Sequence, residues 1–313
     1  MREVRVGVIG VGSLGQHHAR IYSEIDGALL VGVADVDKDR ADAVASRLGC
    51  RSFSDYSELL GEVEAVSLAA PTERHAEIGT EVLRRRIHVL IEKPIASDLA
   101  EADQLLETSE QTQTILQVGH TERFNPVVES IRSYVTKPQF FEAHRLGVFV
   151  PRSLDIDVVL DLMIHDLDLV LSLTKQPIGE IHAVGIPVLT PRVDIANVRI
   201  EFQDGCVANL TASRVSKERV RKLRFFQPHD YISLDLHQKS IEMFSLVEAE
   251  GERRIIERKP PLEDGEPLRY ELEAFLSAVR GNPSPISCSG EEGRRSLEAA
   301  LQVVQKIQAR QGG

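Results

Sequence analysis

The sequence predicts an α/β protein in which a doubly wound parallel sheet precedes an α+β domain with an open-faced, mainly antiparallel sheet. Two observations lead to this prediction. Short apolar segments alternate with helical patterns up to about residue 120, as in parallel βαβ units whose sheet is covered on both faces. Later strand-like segments alternate polar and apolar residues, as in antiparallel sheets with one exposed face. We therefore predict two domains, residues 1–122 and 123–313, with C-terminal helices that close the structure.

The first domain contains six apolar segments, which are its predicted strands: Val4–Ile9, Ala28–Ala34, Arg51–Phe53, Ala65–Ala70, Ile87–Ile91 and Thr114–Val118. The helical patterns between them are Leu14–Ile25, Asp37–Leu48, Glu73–Arg86 and Asp98–Glu110. Six strands joined by helices favour the strand order of a Rossmann sheet.

The second domain begins with one strong helical pattern, Leu160–Leu173. Val198–Phe202 then alternates cleanly, and Asp204-Gly205 supplies a hairpin turn before Val207–Thr211. Further predicted strands are Phe140–Phe149, Ile181–Val188, Val220–Phe226, Tyr231–Leu236 and Ser240–Val247, and the closing helices are Arg269–Arg280 and Glu291–Ala309.

The composition argues against several classes of function. The chain has 313 residues, a net charge of −11, no Trp and 5% aromatic residues, which disfavours nucleic-acid binding by charge or by base stacking. Its three cysteines form no metal-binding motif, and an odd count disfavours a disulfide framework. Neither a signal-peptide pattern nor an apolar run of roughly 20 residues is evident. We expect a cytoplasmic protein that binds neither membranes nor nucleic acids.

A glycine-rich sequence follows the first predicted strand and precedes the first helix. Its three glycines permit a tight turn, close approach of a pyrophosphate to the main chain and close packing of the helix. The helix N-terminus offers its N–H groups to phosphates. A carboxylate at the end of the second strand, Asp35, accepts hydrogen bonds from ribose hydroxyls and repels a 2′-phosphate. These features predict NAD binding by Gly10, Gly12, Ser13, Leu14, Gly15 and Asp35.

Two further loops follow strands of the same sheet, and ligands of open α/β sheets bind beyond the carboxyl ends of the strands. Glu92 and Lys93 end the fifth strand. The Lys93 ammonium group can stabilise the alkoxide that develops on a substrate hydroxyl, although a solvated lysine at a loop start fits equally. After the fourth strand, the loop residues expected beside the dinucleotide are Ala70, Pro71, Thr72 and His75. Thr72 alternatively caps the next helix, and both roles are compatible.

The apolar helix of the second domain carries Asp161 and His165, which are four residues apart and therefore share one side. His165 is a candidate general base because its unperturbed pKa lies near neutrality. Asp161 would contact the substrate or favour the charged imidazole. The alternatives are solvated charges, structural caps, or a metal site that includes Asp168. We expect no metal, because a hydride acceptor makes one unnecessary and no cysteine or second histidine lies at ligand spacing.

Six basic residues crowd into positions 214–224, opposed only by Glu218: Arg214, Lys217, Arg219, Arg221, Lys222 and Arg224. Together with Arg152, they are candidates for binding a phosphorylated or nucleotide-linked substrate, because the planar guanidinium group suits a pyrophosphate. The alternative is an edge strand protected by positive charge.

Taken together, these motifs resemble the Gfo/Idh/MocA family of oxidoreductases over essentially the whole chain. The matching segments are Gly10–Gly15 with His17-His18, Asp35, Pro71–His75, Glu92-Lys93-Pro94, Arg123–Pro126 and Asp161 with His165. The resemblance implies a catalytic group of Lys93, Asp161 and His165. It also implies an open-faced sheet that is often used for oligomerisation, and hence a homodimer or homotetramer.

The family commonly oxidises or reduces one secondary hydroxyl of a sugar, cyclitol or nucleotide sugar. Two segments, Gln117–Pro126 and Asp161–Asp168, look most like a subgroup of UDP-N-acetylglucosamine 3-dehydrogenases. The resemblance therefore implies NAD-dependent oxidation at C3 of such a nucleotide sugar. The residues expected to bind the substrate are His120, Arg123, Asn125, Arg152, Asp161 and His165.

Three other functions fit parts of the pattern. A dehydrogenase of a free sugar or cyclitol uses the same catalytic group. A glycosidase that oxidises its substrate transiently also uses bound NAD. A non-catalytic NAD sensor or co-regulator is built on the same fold, but it has no need of Lys93, Asp161 and His165 together.

Overall fold

The computed structural model describes residues 2–150, 156–249 and 251–311, and the chain forms two compact units. The first unit comprises the residues up to Phe124 together with Gly265–Leu297, and the second comprises Asn125–Asp264 together with the residues from Glu298 onward. The segment Gly265–Leu297 therefore lies in the first unit, whereas the boundary drawn from the sequence placed it in the second domain.

The first unit contains the predicted parallel sheet. Its strands are β1 (Val4–Ile9), β2 (Ala28–Ala34), β3 (Arg51–Phe53), β4 (Ala65–Leu68), β5 (His88–Glu92) and β6 (Leu116–Gly119). They pair in parallel in the order β3-β2-β1-β4-β5-β6, which confirms the Rossmann prediction.

The helices between these strands are α1 (Gly15–Glu24), α2 (Lys38–Leu48), α3 (Tyr56–Leu59), α4 (His75–Arg84) and α5 (Leu99–Thr112). A later helix, α8 (Pro267–Val279), places Leu272 and Phe275 in the same core as Ile21 and Tyr22 of α1. This packing explains why the segment that follows residue 264 belongs to the first unit, because sequence distance does not limit burial of an apolar helix face.

The second unit contains a sheet of eight strands in the order β14-β13-β12-β11-β7-β10-β9-β8. The strands are β7 (Phe140–Leu146), β8 (Ile178–Ile186), β9 (Ile195–Phe202), β10 (Val207–Ser213), β11 (Val220–Gln227), β12 (Asp230–Asp235), β13 (Ser240–Ala249) and β14 (Glu252–Arg258). All neighbours are antiparallel except β7 and β10, which confirms the mainly antiparallel sheet.

Helical segments cover one face of this sheet. They are α6 (Pro126–Ile131), a π-helical turn (Val159–Met163), α7 (Ile164–Thr174) and the later part of α9 (Gly290–Gln311). Buried and partly exposed residues alternate along β9, so one face of the sheet lies in the core and the other does not. In the part of the chain that the structure describes, no helix is long and apolar enough to cross a membrane.

Candidate cofactor and active site

The glycine-rich loop borders a cleft of about 640 Å³ in the first unit. The sequence-predicted residues in its wall are Gly10, Gly12, Ser13, Leu14, Asp35, Ala70 and Pro71. The structure thus brings together the ends of β1, β2 and β4, which lie side by side in the sheet. Arg40, Tyr56 and Arg74 also line the cleft, and they were not predicted from the sequence.

The three glycines of the loop differ in what an added Cβ would meet. Gly10 has a φ of +83°, and a Cβ there would lie 2.8 Å from the main chain of Ala69. A Cβ on Gly15 would lie 1.8 Å from the carbonyl oxygen of Gly10. A Cβ on Gly12 meets no atom within 4 Å, so this glycine leaves open space in the wall of the cleft. These are the three demands that a dinucleotide loop makes.

The start of α1 leaves its positive end available to an anion. Leu14 is the N-cap residue and makes no side-chain capping hydrogen bond, and the first turn contains no acidic residue. The first turn of a helix favours phosphate binding through its N–H groups and its dipole. The loop, the open space at Gly12 and this helix end together fit the pyrophosphate of NAD.

Asp35 is nearly buried and makes several hydrogen bonds within the chain. Its Oδ2 accepts the main-chain N–H of Val11 at 2.8 Å, and its Oδ1 accepts that of Asp37 at 2.9 Å. The Arg40 guanidinium lies 3.3 Å from Oδ2. A carboxylate offers about four acceptor positions, so capacity remains for ribose hydroxyls. The contact of Arg40 with Asp35 could not be predicted from the sequence, because it depends on where α2 begins relative to the end of β2.

His75 joins two loops and is not among the residues that line the cofactor cleft. Its Nδ1 lies 2.9 Å from the carbonyl oxygen of Pro94, and its Nε2 lies 2.9 Å from that of Ala70. Burial lowers the pKa of His75, although both carbonyl groups act in the opposite direction. A neutral imidazole carries one N–H, so it donates to one carbonyl at a time. His75 therefore supports the cofactor-side loops indirectly.

Thr72 differs from its alternative interpretation as a helix cap. A short 3₁₀ helix spans Thr72–Arg74, and α4 begins at His75. Pro71 occupies the N-cap position of the 3₁₀ helix, so Thr72 lies one position inside it. The alternative interpretation is therefore correct that a helix starts at Thr72 but wrong that Thr72 is its N-cap residue.

Glu92 is buried at the end of β5 beside Lys93. Its Oε1 lies 2.9 Å from Nε2 of His18, and its Oε2 accepts the main-chain N–H of Lys93 at 3.2 Å. Burial raises the pKa of the Glu92 carboxyl group, but the hydrogen bond and charge of His18, followed by Lys93, lower it below its ordinary value. Glu92 is thus an ionised carboxylate engaged by protein groups.

The residues predicted from Gln117–Pro126 are held by structural contacts. Arg123 is buried and its Nη1 lies 3.0 Å from Oε2 of Glu292. Asn125 caps α6 by accepting the N–H of Val127 and donates to the carbonyl oxygen of Leu236 at 3.1 Å. His120 is 1% exposed. The distant partners Glu292 and Leu236 leave no local signal in the sequence.

Asp161 and His165 are the partly exposed polar residues of a mostly buried helical segment. The predicted helix is in fact two structures, because Asp161 lies in the π-helical turn and His165 in the first turn of α7. Met163, Ile164 and Leu167 beside them are fully buried. Wide π turns are frequent at functional sites. The two polar groups thus mark the accessible side of this segment.

Part of the basic segment at positions 214–224 lies on a strand inside the sheet of the second unit. Strand β11, which carries part of it, lies between β12 and β7, so the alternative of a protected edge strand is wrong. Lys222 lies 3.9 Å from Asp235 on β12, and Arg224 lies 3.6 Å from Glu142 on β7. Side chains of neighbouring strands thus pair with the basic groups.

Arg214 lies before β11 and is buried. Its Nε is 3.8 Å from Oδ1 of Asp194, and its Nη2 donates to the carbonyl oxygen of Ile156. It is therefore engaged inside the second unit. Arg152 lies outside the described residues.

Two family models match the chain, one at residues 4–120 for the oxidoreductase family with an NAD-binding Rossmann fold and one at residues 129–227 for the Gfo/Idh/MocA C-terminal domain. UDP-N-acetylglucosamine 3-dehydrogenase from Acidithiobacillus ferrooxidans is 39% identical to this chain, and the match covers 99% of both chains. A solved structure of that enzyme has a TM-score of 0.93, again with 99% of both chains covered.

Two more distant relatives have other substrates in their names. Myo-inositol 2-dehydrogenase from Thermotoga maritima is 26% identical, with 94% of this chain and 93% of that protein covered. Levoglucosan dehydrogenase in complex with NADH is 17% identical with a TM-score of 0.87, and 98% of both chains are covered. The latter likeness concerns the fold alone. The family models and the full-length match confirm that this protein belongs to the Gfo/Idh/MocA family of oxidoreductases and is an NAD-dependent dehydrogenase.

Proposed function

We propose that this enzyme oxidises the C3 hydroxyl of UDP-N-acetylglucosamine, or of a similar nucleotide sugar, to a ketone. The observation that carries the proposal is the 39% identity, over 99% of both chains, to a UDP-N-acetylglucosamine 3-dehydrogenase. The relatives that act on inositol match at lower identity or over a shorter part of this chain. The uridine and pyrophosphate would supply binding energy remote from the reacting carbon.

In the proposed reaction, bound NAD supplies the hydride acceptor. The glycine loop and the start of α1 hold the pyrophosphate, while Asp35 accepts the adenosine ribose hydroxyls. Leu14 and Val36, which are 49% and 96% exposed, offer apolar surface to the adenosine. Ala70 and Pro71 border the same cleft.

The proposed catalytic residues act on the sugar hydroxyl. His165 accepts the hydroxyl proton as the C3 hydrogen leaves with its electron pair. The Lys93 ammonium group stabilises the negative charge that develops on oxygen. Asp161 orients the hydroxyl or favours the imidazolium form of His165. His165 and Asp161 suit these roles because they are the accessible polar groups of their segment.

The decisive experiment compares substrates and variants by the absorbance of NADH. We expect UDP-N-acetylglucosamine to turn over with a far higher kcat/KM than free N-acetylglucosamine or myo-inositol. Lys93→Ala and His165→Ala should each lower kcat by roughly 10²–10⁴-fold, with NAD affinity little changed in His165→Ala. Equal turnover of the free compounds contradicts the nucleotide-sugar assignment. Near-normal kcat in either variant contradicts its catalytic role.

We also propose a homodimer or homotetramer that forms through the open sheet face of the second unit. Four aromatic residues form a row across β7, β11, β12 and β13: Phe140, Phe226, Tyr231 and Phe244. Phe226 and Phe244 are 36% and 40% exposed, and contiguous apolar surface of this kind favours association with closed symmetry. Light scattering at micromolar concentration should show the oligomer, and a monomer there contradicts the proposal.

A further inference from the structure

A buried pair of side chains is connected to the main chain of Lys93. His18 on α1 and Glu92 on β5 are 1% and 7% exposed, and their Nε2 and Oε1 atoms are 2.9 Å apart. The second oxygen of Glu92 accepts the Lys93 N–H. His18 is therefore linked, through one carboxylate, to the first residue after β5.

Such a pair is costly to bury, because two polar groups leave water and must be compensated by each other. Apolar side chains of similar volume usually fill a core position at no greater cost. Stability alone therefore gives no reason for His18 and Glu92 to lie here. The feature that distinguishes this pair is the hydrogen bond that Glu92 accepts from the main-chain N–H of Lys93.

The neighbouring strand independently reserves space for the carboxylate. Gly119 on β6 lies opposite Glu92 in the sheet register. A Cβ at this position would lie 3.0 Å from the carboxyl carbon of Glu92, closer than side chains normally approach. Glycine at 119 thus leaves the carboxylate in place between His18 and Lys93.

The main chain on the other side of Lys93 is also held. The carbonyl oxygen of Pro94 lies 2.9 Å from Nδ1 of buried His75. Contacts at Lys93 and at Pro94 therefore fix the direction in which the chain leaves β5. An error of about 1 Å in the position of a reacting group can lower a rate 10²-fold.

We propose that His18 and Glu92 are positioning residues that hold the main chain at Lys93, and through it the Lys93 ammonium group, in the orientation used for catalysis. This inference rests on the proposed role of Lys93. His18 donates its Nε2–H to Glu92, and Glu92 accepts the N–H of Lys93. Neither group needs to touch the substrate.

The first test separates turnover from binding. His18→Leu removes the donor and should lower kcat about 10- to 100-fold, while the affinity for NAD changes less than about threefold. His18→Gln returns an N–H donor near the position of Nε2 and should recover most of the lost rate. Equal losses in the Leu and Gln variants, or an unchanged kcat in both, contradict the proposal.

The second test displaces the carboxylate without removing a functional group. Gly119→Ala should lower kcat about tenfold through its contact with Glu92. Gly61→Ala is the matched control, because the nearest atom to its Cβ is a carbonyl oxygen 3.9 Å away, and its kcat should stay normal. This comparison decides the proposal even where His18→Leu does not fold. A normal kcat in Gly119→Ala contradicts it.

A spectroscopic readout needs no turnover. The ¹H resonance of the Nε2–H group of His18 should be visible in a ¹⁵N-edited spectrum, at the downfield shift of a charge-assisted hydrogen bond. Its resonance should move in Gly119→Ala and remain in Gly61→Ala. An unchanged resonance in Gly119→Ala contradicts the coupling between Gly119 and the pair.

A double-mutant cycle connects the pair to Lys93. In a Lys93→Ala background, His18→Leu should lower the residual rate less than about twofold, because the group that it positions is gone. An equal loss in both backgrounds indicates a general structural role for His18. This outcome contradicts the positioning role of His18 and Glu92 but leaves the proposed role of Lys93 intact. Near-normal turnover of Lys93→Ala itself contradicts the proposed function of Lys93, and the positioning role with it.

Discussion

Two buried aspartates, one in each unit, accept hydrogen bonds from main-chain N–H groups. They differ in whether their carboxylate oxygens remain accessible to a ligand. Asp35 accepts two such N–H groups, lines the cofactor cleft and has Arg40 beside it. Asp194 accepts the N–H groups of Val188, Leu189 and Thr190 as well as the Thr190 hydroxyl. It is 0% exposed. The number of internal partners and the exposure therefore separate a carboxylate that can bind a ligand from one that holds a loop.

We expect the largest effect from a substitution in the glycine loop, whose Val11 N–H donates a hydrogen bond to Asp35. In Gly15→Ala, the added Cβ would lie 1.8 Å from the carbonyl oxygen of Gly10, so the loop must move. We expect the free energy of unfolding to fall by about 3 kcal/mol or more and NAD binding to be lost. Chemical denaturation and NAD titration measure both effects.

Gly147→Ala is the control for this change, because its nearest atom is 3.6 Å away. Its free energy of unfolding should stay within about 0.5 kcal/mol of the wild type. Normal NAD binding in Gly15→Ala contradicts the assigned role of the loop.

Asp194→Asn should have the next largest effect. Burial raises the pKa of Asp194, but its hydrogen bonds to Thr190, Val188 and Leu189 lower the value to about 2. Because the folded pKa lies below the unfolded value of about 4, the stabilisation is present above pH 4 and is lost as the pH falls through 2. We expect the variant to lose about 2–4 kcal/mol at neutral pH.

Thermal melts between pH 2 and 7 measure this contribution. Asp264→Asn is the control, because Asp264 is 94% exposed in its contact with Lys239, and it should behave like the wild type. Equal pH profiles for the wild type and Asp194→Asn contradict the assigned role of Asp194.

Asp35→Ser should change the choice of cofactor with a smaller effect on stability. Without the carboxylate, Arg40 loses a partner at 3.3 Å and can approach a 2′-phosphate. We expect the ratio of kcat/KM for NADP over NAD to rise about tenfold or more. Asp37→Ser removes the other carboxylate near Arg40 and should shift the ratio less. A wild type that uses NADP as well as NAD contradicts this role of Asp35.

Arg224→Gln should have the smallest effect. Arg224 and Glu142 are partly exposed and 3.6 Å apart, and such pairs contribute at most about 1 kcal/mol. Because Arg224 pairs within the sheet, the KM for the nucleotide sugar should stay within about twofold of the wild type. A tenfold rise in this KM indicates that the basic strand does bind the pyrophosphate.

The cofactor loop could be predicted because its requirements are local. Gly10 has a positive φ and a Cβ on Gly15 would meet the carbonyl oxygen of Gly10, so the turn itself requires both glycines. Asp35 follows directly after the next strand. The apolar pattern likewise identified most strands of both sheets. In these regions, local sequence and final structure depend on the same short-range constraints.

The partners of charged side chains could not be predicted in the same way. Arg123 pairs with Glu292 and His18 with Glu92, across separations that only the fold closes. The basic residues of positions 214–224 therefore fitted either a ligand site or a protected edge strand, although Lys222 and Arg224 face acids on adjacent strands. Strand order, which the local sequence does not encode, decides these contacts.

The most direct measurement follows the hydrogen at C3 of the sugar. UDP-N-acetylglucosamine labelled with deuterium at C3 would be incubated with the enzyme and NAD, and the NADH formed would be analysed by mass spectrometry. Oxidation at C3 predicts that the NADH carries the deuterium, whereas substrate labelled at C2 or C4 gives unlabelled NADH. Unlabelled NADH from the C3-deuterated sugar, or no NADH at all, would contradict oxidation at C3.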